Sequence, residues 1–174
     1  MERLTNELMQ LVQMEAEGLG ELYPIVLAET LRDSVELVRA KAAEKEMTML
    51  LDVDEEIIVE ADEEKMRQIL INLLENAIRY SGRGTSIRLK AVMEGHEAVI
   101  QVEDSGIGIP REDLPRITER FYRVNKARSR ADGGSGLGLS IVDQLVGQHH
   151  GTLHIESELG KGTTVTVRLP LMEG

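Results

Sequence analysis

Four polar side chains recur on one side of a predicted helix at a spacing that could bind a ligand. The segment DEEKMRQILINLLENAIRY, residues 62–80, places Asn72, Asn76, Arg79 and Tyr80 at offsets of 0, +4, +7 and +8, so they share one helical face. Asparagine is a poor helix former. Asn72 and Asn76 are therefore either tolerated on a solvated face of the helix or needed to bind a ligand. An amide oxygen suits Mg²⁺, which takes few protein ligands and keeps phosphate and water oxygens. Arg79 and Tyr80 could then reach the phosphates of the same ligand.

A first glycine-containing stretch, DSGIGIP at residues 104–110, follows a predicted strand and begins with a carboxylate. No third glycine opens a helix after Gly106 and Gly108, so the stretch does not fit a dinucleotide-binding fingerprint. An ordinary turn is an alternative explanation of this glycine pair.

A second stretch, DGGSGLGLSIV at residues 132–142, runs into a predicted helix over 135–149. It is not a P-loop, because no Lys-Ser or Lys-Thr follows. Glycines before a helix let backbone N–H groups converge on an anion at the positive end of the helix dipole. The segment between the two glycine stretches concentrates positive charge, either as a solvated loop or, as we favour here, as an anion-attracting lid. Its basic residues are Arg120, Arg123, Lys126, Arg128 and Arg130.

The order and spacing of four boxes are more specific than any one of them. N-L-L-E-N, D-x-G-x-G, E-R-F-Y-R and G-G-S-G-L-G-L follow one another along the chain. This order closely resembles the catalytic ATP-binding domain of bacterial sensor histidine kinases, over about residues 24–170. The run ERFYRVNKARSRADGGSGLGLSIV is similar to the sensors of the phosphate-regulation and cell-wall type. The wider superfamily, which shares the Bergerat ATP-binding fold, includes type II topoisomerase, chaperone and mismatch-repair ATPases and anti-sigma serine kinases.

The resemblance implies ATP and Mg²⁺ as ligands and assigns roles position by position. Asn76 would bind Mg²⁺, and Arg123 would contact the terminal phosphate, so these two are the predicted catalytic residues. Asp104 would accept a hydrogen bond from the adenine amine, which discriminates against the carbonyl oxygen of guanine. The other predicted nucleotide-binding residues are Asn72, Arg79, Tyr80, Gly106, Gly108, Ile109, Gly134, Ser135, Gly136, Leu137 and Gly138.

The residue four positions before Asn76 separates the branches of this superfamily. The ATPases and serine kinases resemble one another in a glutamate there, which acts as general base. Here the position is Asn72, and Glu75 points about 100° away around the helix. The substitution favours phosphoryl transfer to a histidine and predicts slow ATP hydrolysis. An ATP hydrolase and a non-catalytic nucleotide-binding or docking module are the alternatives.

The acceptor histidine of such a kinase is predicted to lie outside this sequence. Sensor kinases resemble one another in a box of the form H-E-L-R-T-P, and none of the four histidines has that context. We expect structural or surface roles for all of them, with His149 and His150 as cations at the end of a helix. These histidines are His96, His149, His150 and His154.

The predicted domain division follows from the absence of the H-E-L-R-T-P acceptor box. Residues 1–20, with Leu4, Leu8 and Leu11 at helical spacing, are expected to be the tail of a dimerisation and phosphoacceptor helix, and residues 21–174 the catalytic ATP-binding domain. The chain is therefore expected to be a fragment. Its expected partners are the histidine-bearing dimerisation domain and a response-regulator receiver domain, with a homodimeric full-length protein.

Composition limits the remaining possibilities. The net charge of −11 argues against nucleic acid or an anionic membrane as a partner. The absence of cysteine excludes disulfides and thiol chemistry. No apolar run approaches the ~18–20 residues of a membrane span, so the chain has the character of a cytoplasmic domain, whose parent could be a plasma-membrane sensor. Two residues near the lid, Thr118 and Asn125, depart from the family pattern of Phe and Asp.

The elements that must position these residues are predicted from periodicity. Helices are predicted over 24–45, with Pro24 in the first turn, over 62–80, with Asp62 as N-cap, within 111–121 and over 135–149. Strands are predicted at 47–53 and 57–60, in a hairpin of 85–94 and 97–104, and on both sides of residues 158–162. Helices and antiparallel strands segregate along the chain. This predicts a two-layer α/β (α+β) sandwich with a mixed, mainly antiparallel sheet covered on one face by helices.

Overall fold

The fold was analysed in a computed structural model that describes residues 18–119, 122 and 138–172, together with residues 5, 6, 8, 9 and 12. The five residues of the N-terminal segment are helical, and Leu8, Met9 and Val12 among them are exposed. None of the helices in the described part of the chain is long and apolar enough to cross a bilayer.

The described elements comprise seven strands, three α-helices and one 3₁₀ turn. Their order is β1 (Tyr23–Val26), α1 (Leu27–Glu44), β2 (Thr48–Val53), β3 (Ile58–Ala61), α2 (Glu63–Tyr80), β4 (Ser86–Glu94), β5 (Glu97–Asp104), the 3₁₀ turn (Leu114–Arg116), α3 (Gly138–Gln148), β6 (Thr152–Glu158) and β7 (Gly162–Pro170).

A mixed five-stranded sheet forms one layer of the fold. Its strand order is β2-β4-β5-β7-β6, and β1 pairs with β3 in a separate two-stranded sheet. Only β2 and β4 are parallel; the other pairs of the large sheet are antiparallel. The β4–β5 hairpin is the one that the alternating pattern predicts, with Glu94 opposite Glu97.

The three helices form the second layer, on one face of the large sheet. Ile87, Leu89 and Ala91 of β4 alternate toward the helices and are buried, while Arg88 between them is exposed. Helix α2 packs between α1 and α3. Because a strand turns successive side chains to opposite faces, this alternation commits one face to the core and leaves the other to water. The predicted two-layer architecture is confirmed.

Pro24 does not begin a helix. It lies in β1, opposite Glu60 of β3, and α1 starts three residues later at Leu27. The prediction of a helix from residue 24 is therefore wrong at its start. Proline is tolerated in a strand that pairs on one side only, because its missing N–H can face away from the partner. The pairing partner lies about 35 residues further along the chain, so local pattern does not reveal it.

The short helix predicted within 111–121 is a series of tight turns over its described residues. Asp113 N–H donates to Pro110 O at 2.9 Å and Arg116 N–H donates to Asp113 O at 2.9 Å, both spanning three residues. Pro115 has no N–H to donate to a carbonyl four residues earlier. The i+3 pattern therefore replaces an α-helix, and only Leu114–Arg116 forms a 3₁₀ turn.

Candidate functional site

Helix α2 presents a polar, half-buried face beside its buried stripe. Its N-cap is Asp62, whose Oδ1 accepts the Lys65 N–H at 3.2 Å, as predicted. The predicted buried stripe is confirmed, since Leu70, Leu73, Leu74, Ala77 and Ile78 are all buried. The predicted ligand-binding residues Asn72, Asn76, Arg79 and Tyr80 are half-buried. We refer to Asn72, Asn76 and Arg79 as the asparagine face.

The start of α3 lies against this asparagine face. A Cβ built on Gly138 would be 3.8 Å from Asn72 Oδ1 and 3.8 Å from Asn76 Oδ1. Arg79 Nη1 donates to Asn76 Oδ1 at 3.3 Å. The structure therefore brings four of the predicted site residues together, although they come from parts of the chain more than 58 residues apart.

Glu75 is turned away from this group. Its Oε1 lies 2.9 Å from Lys41 Nζ of α1, so its carboxylate is engaged between the two helices. This agrees with its predicted direction around α2, one residue before Asn76.

Asp104 is the last residue of β5, the central strand of the large sheet, and lies between Ile87 of β4 and Thr163 of β7. Its Oδ1 accepts the Gly106 N–H at 2.8 Å, and the Thr163 N–H donates to the same carboxylate. Burial raises the pKa of the Asp104 carboxyl above its ordinary value, and the two N–H donors limit this rise because they stabilise the ionised form. The carboxylate is half-buried and can accept a further hydrogen bond from a ligand.

The first glycine loop, residues 104–110, is fixed to the end of α2. The Ile107 N–H donates to Tyr80 O at 3.1 Å. A Cβ on Gly106 would lie 2.3 Å from that same carbonyl oxygen. Any side chain at position 106 would therefore displace the loop from the helix that carries the asparagine face.

The turn between β6 and β7 holds the first glycine loop from its other side. Ile109 N–H donates to Ser157 Oγ at 2.8 Å, and Gly160 N–H donates to Ile107 O at 2.8 Å. Gly108 has φ +74°, and a Cβ there would lie 2.2 Å from Glu158 O. Sequence reasoning missed Ser157 and Thr163 as residues that shape the site. The glycines of ELGKGT, at residues 158–163, were the available signal.

The remaining predicted site residues lie outside the described part of the chain. They are Arg123, Gly134, Ser135, Gly136 and Leu137, together with the basic lid. Of the two departures from the family pattern, Thr118 is described, and its carbonyl accepts the Ser140 hydroxyl of α3 at 2.8 Å.

His149 is buried and neutral, so the predicted cation at the end of α3 is wrong for this residue. Its Nδ1–H donates to Leu145 O at 2.8 Å, and its Nε2 accepts the Asp62 N–H at 3.2 Å. A carbonyl can only accept and an N–H can only donate, which fixes the neutral tautomer. Burial lowers the pKa of His149 below its ordinary value, and this effect outweighs the hydrogen bond to Leu145 O and the charge of Asp62, which both raise the pKa. His96 and His154 lie in the predicted hairpin turn and strand.

Comparison with known proteins assigns this arrangement to a family. Residues 61–173 match the family described as histidine kinase-, DNA gyrase B-, and HSP90-like ATPase. Sensor histidine kinase YclK of Bacillus subtilis is 46% identical over 138 residues, which cover 78% of this chain and 29% of that protein. This chain thus spans under a third of the length of that relative.

Solved structures show the same fold. The catalytic domain of histidine kinase ThkA has a TM-score of 0.77 and 27% identity, covering 87% of this chain and 96% of that one. Full-length ShkA in complex with AMPPNP has a TM-score of 0.84 and 28% identity, covering 99% of this chain and 36% of that one.

These comparisons show that the polar face of α2 and the carboxylate at the end of β5 belong to the fold of a histidine kinase ATP-binding domain. The chain belongs to the histidine kinase-, DNA gyrase B- and HSP90-like ATPase family. Within that family it is a catalytic domain of the sensor histidine kinase type, which confirms the resemblance of its four sequence boxes.

Proposed function

We propose that this domain binds Mg²⁺·ATP and transfers the γ-phosphoryl group to a histidine on a dimerisation domain. The observation that carries the proposal is the identity of the residue one turn before Asn76. Asn72 occupies that position on the half-buried face of α2, beside Gly138. Its neutral amide cannot take a proton from water, whereas a neutral imidazole needs no such base.

Adenine recognition is assigned to Asp104. Its half-buried carboxylate would accept a hydrogen bond from the exocyclic amine of adenine. The carbonyl oxygen that guanine presents at that place would be repelled by it. The hydrogen bonds from Gly106 and Thr163 hold the carboxylate in place for this contact.

The asparagine face fits a magnesium ion together with triphosphate. The Arg79 guanidinium uses one lone pair of Asn76 Oδ1, and the oxygen retains another for a cation. Mg²⁺ takes few protein ligands when it binds with phosphates, so the phosphates and water would supply most of the oxygen ligands. When bound, the ion would neutralise phosphate charge. Arg79 and, by resemblance, Arg123 would contribute positive charge beside it.

Positioning and electrostatics would then carry the reaction. The bond between the terminal phosphorus and the β–γ bridging oxygen breaks, a bond from phosphorus to an imidazole nitrogen forms, and ADP leaves. Glu75 is not positioned as a general base for water, because it points about 100° away from Asn76 around α2, toward Lys41 of α1. Known complexes of the family support the nucleotide assignment, since ShkA was solved with AMPPNP.

The decisive experiment mixes this chain with a separately produced dimerisation domain of the parent protein and γ-labelled ATP. Label that is stable to base and labile to acid should appear on the acceptor domain, and a His→Gln acceptor should receive none. Phosphate release by the chain alone should be about 10²–10⁴-fold slower than that of relatives with a glutamate general base. Fast phosphate release without labelling would favour a hydrolase, and nucleotide binding with neither reaction would favour a docking module.

The wider assembly follows from the same proposal. Residues 1–20 would continue a dimerisation helix, and residues 21–174 would form the catalytic domain. The full-length protein would be a homodimeric sensor whose phosphohistidine passes its phosphoryl group to a response-regulator receiver domain in the cytoplasm.

A further inference from the structure

The carbonyl end of α2 is capped by a lysine from another element. An α-helix leaves its last carbonyl oxygens without helical partners. Lys45 Nζ donates to the carbonyl oxygens of Ile78 at 2.7 Å, Arg79 at 3.0 Å and Ser81 at 3.0 Å. An ammonium group has three donors, and all three are used here.

The one carbonyl within this series that Lys45 does not bind is that of Tyr80. It accepts the Ile107 N–H of the first glycine loop at 3.1 Å. Lys45 and Ile107 thus divide four consecutive carbonyls between them, from Ile78 to Ser81. The lysine therefore fixes the carbonyls on both sides of the one that holds the loop.

The backbone of Lys45 is held as well as its side chain. The residue follows the last residue of α1, Glu44, and is half-buried. Its carbonyl accepts the Gly84 N–H at 2.8 Å, from the turn that leads into β4. The ammonium group is therefore anchored at a fixed place, unlike a lysine on a solvated helix face.

We propose that Lys45 is a positioning residue for nucleotide binding, an inference that rests on the proposed function. The end of α2 carries Arg79 and Tyr80 and, through Tyr80 O, holds the loop that begins at Asp104. That end also bears the partial negative charge of the helix dipole, which opposes a polyanionic ligand. The Lys45 ammonium offsets this charge and fixes the carbonyls without touching the nucleotide itself.

The test compares three variants in which a single lysine of this region is replaced. Lys45→Met removes the cap, Lys45→Arg restores a cation with several donors, and Lys41→Met removes the same charge one turn earlier on α1. We expect Lys45→Met to weaken ATP binding about tenfold, measured by calorimetry with Mg²⁺·ATP, and Lys41→Met to change it less than twofold. Lys45→Arg should recover most of the affinity. The transfer rate at saturating ATP should stay within twofold for all three, because the cap acts on binding.

A second measurement does not depend on ATP. Amide hydrogen exchange of Ile107 in the free chain should accelerate in Lys45→Met and remain unchanged in Lys41→Met, while the core amide of Ile100 is unaffected in both. If Lys45→Met does not fold, Lys45→Gln, which keeps two donors, takes its place in both measurements.

Two outcomes would overturn the inference. One is equal ATP affinity for the wild type and Lys45→Met; the other is an equal loss in Lys41→Met. A wild-type chain that does not bind ATP would instead contradict the proposed function, and the exchange rate of Ile107 would still decide whether Lys45 positions the loop.

Discussion

The first glycine loop and the start of α3 both have glycine at the candidate site, but the surroundings of these glycines differ. In the loop, a Cβ on Gly106 or Gly108 would lie 2.3 Å or 2.2 Å from a backbone carbonyl oxygen. At Gly138 the nearest atoms to such a Cβ are asparagine side-chain atoms at 3.8 Å, an ordinary contact distance. The packing of the described residues thus requires glycine in the loop and does not require it at Gly138.

The glycines of the loop are therefore needed for the fold itself, whereas Gly138 leaves room for a ligand beside the asparagine face. The loop is fixed by hydrogen bonds to Tyr80, Ser157 and the β6–β7 turn, so its backbone and the Asp104 carboxylate are preorganised before any ligand arrives. The described contact within the asparagine face is the long hydrogen bond from Arg79 to Asn76. Rigid backbone suits recognition of a flat base, and adjustable side chains suit a triphosphate and its cation.

The largest expected effect is that of Gly108→Ala. The left-handed backbone and the contact with Glu158 O together should lower the free energy of unfolding by about 2–5 kcal/mol. Gly95→Ala is the matched control, because Gly95 has φ +59° and nothing within 4 Å of its Cβ position. It should cost only about 1–2 kcal/mol. Urea unfolding of both variants measures the difference, and equal losses would show that the loop can move away from the turn.

Asp104→Ala comes next and tests the contact with the base. Loss of a charge-assisted hydrogen bond should weaken ATP binding by about 1.5–3 kcal/mol, roughly 10- to 150-fold, in calorimetry. Glu103→Ala removes the neighbouring carboxylate, which is exposed, and should leave the affinity unchanged. Unchanged affinity in Asp104→Ala would refute the adenine assignment.

The pH dependence of Asp104 should be smaller than the alanine effect and opposite for binding and stability. Because its folded pKa lies above its unfolded value, its contribution to stability is present at acidic pH and is lost as the pH rises through the folded pKa. Binding of the adenine amine needs the ionised carboxylate, so adenosine affinity should rise over the same interval. Asp104→Asn should abolish both trends, as followed by titration calorimetry and urea unfolding. A pH profile shared by wild type and Asp104→Asn would exclude this group as the cause.

Gly138→Ala should have the smallest effect and the most selective one. Among the described residues, a Cβ there meets no atom beyond its own helix closer than 3.8 Å, and alanine favours a helix, so stability should be unchanged or raised by up to about 1 kcal/mol. The methyl group would enter the space beside Asn72 and Asn76 and should weaken Mg²⁺·ATP binding by about 1 kcal/mol, roughly fivefold. Gly147→Ala, in the same helix with nothing within 4 Å, should not affect binding. A loss of stability without a loss of affinity would show that Gly138 is needed for packing and not for ligand binding.

Elements whose signals are local could be predicted well. The buried stripe of α2, its Asp62 cap and the β4–β5 hairpin depend on spacing within about 20 residues, and the structure has them where the pattern places them. Predictions failed where a distant partner decided the outcome. Pro24 became part of a strand because β3 pairs with it, and His149 became a neutral acceptor because Asp62, 87 residues away, donates to it.

The candidate site divides in the same way. Residue types and their order were sufficient to propose Asn76 as a magnesium ligand, Asp104 as the adenine acceptor and Asn72 as evidence against a water-activating base. The amide chemistry of Asn76 supports the first assignment, and the resemblance of the four sequence boxes to sensor histidine kinases implies the other two. The supporting residues Lys45 and Ser157 carry no such signal, because a lysine or serine acquires its role only from the acceptors and donors that surround it.

By itself, then, the sequence determined the two-layer architecture, which depends on periodicity, and the family, which the order of its four boxes indicates. Only the tertiary structure decided why Gly106 and Gly108 must be glycine and how the end of α2 is joined to the loop that carries Asp104. Those features depend on backbone groups from distant parts of the chain meeting within hydrogen-bonding distance, and backbone groups are the same at every position of a sequence.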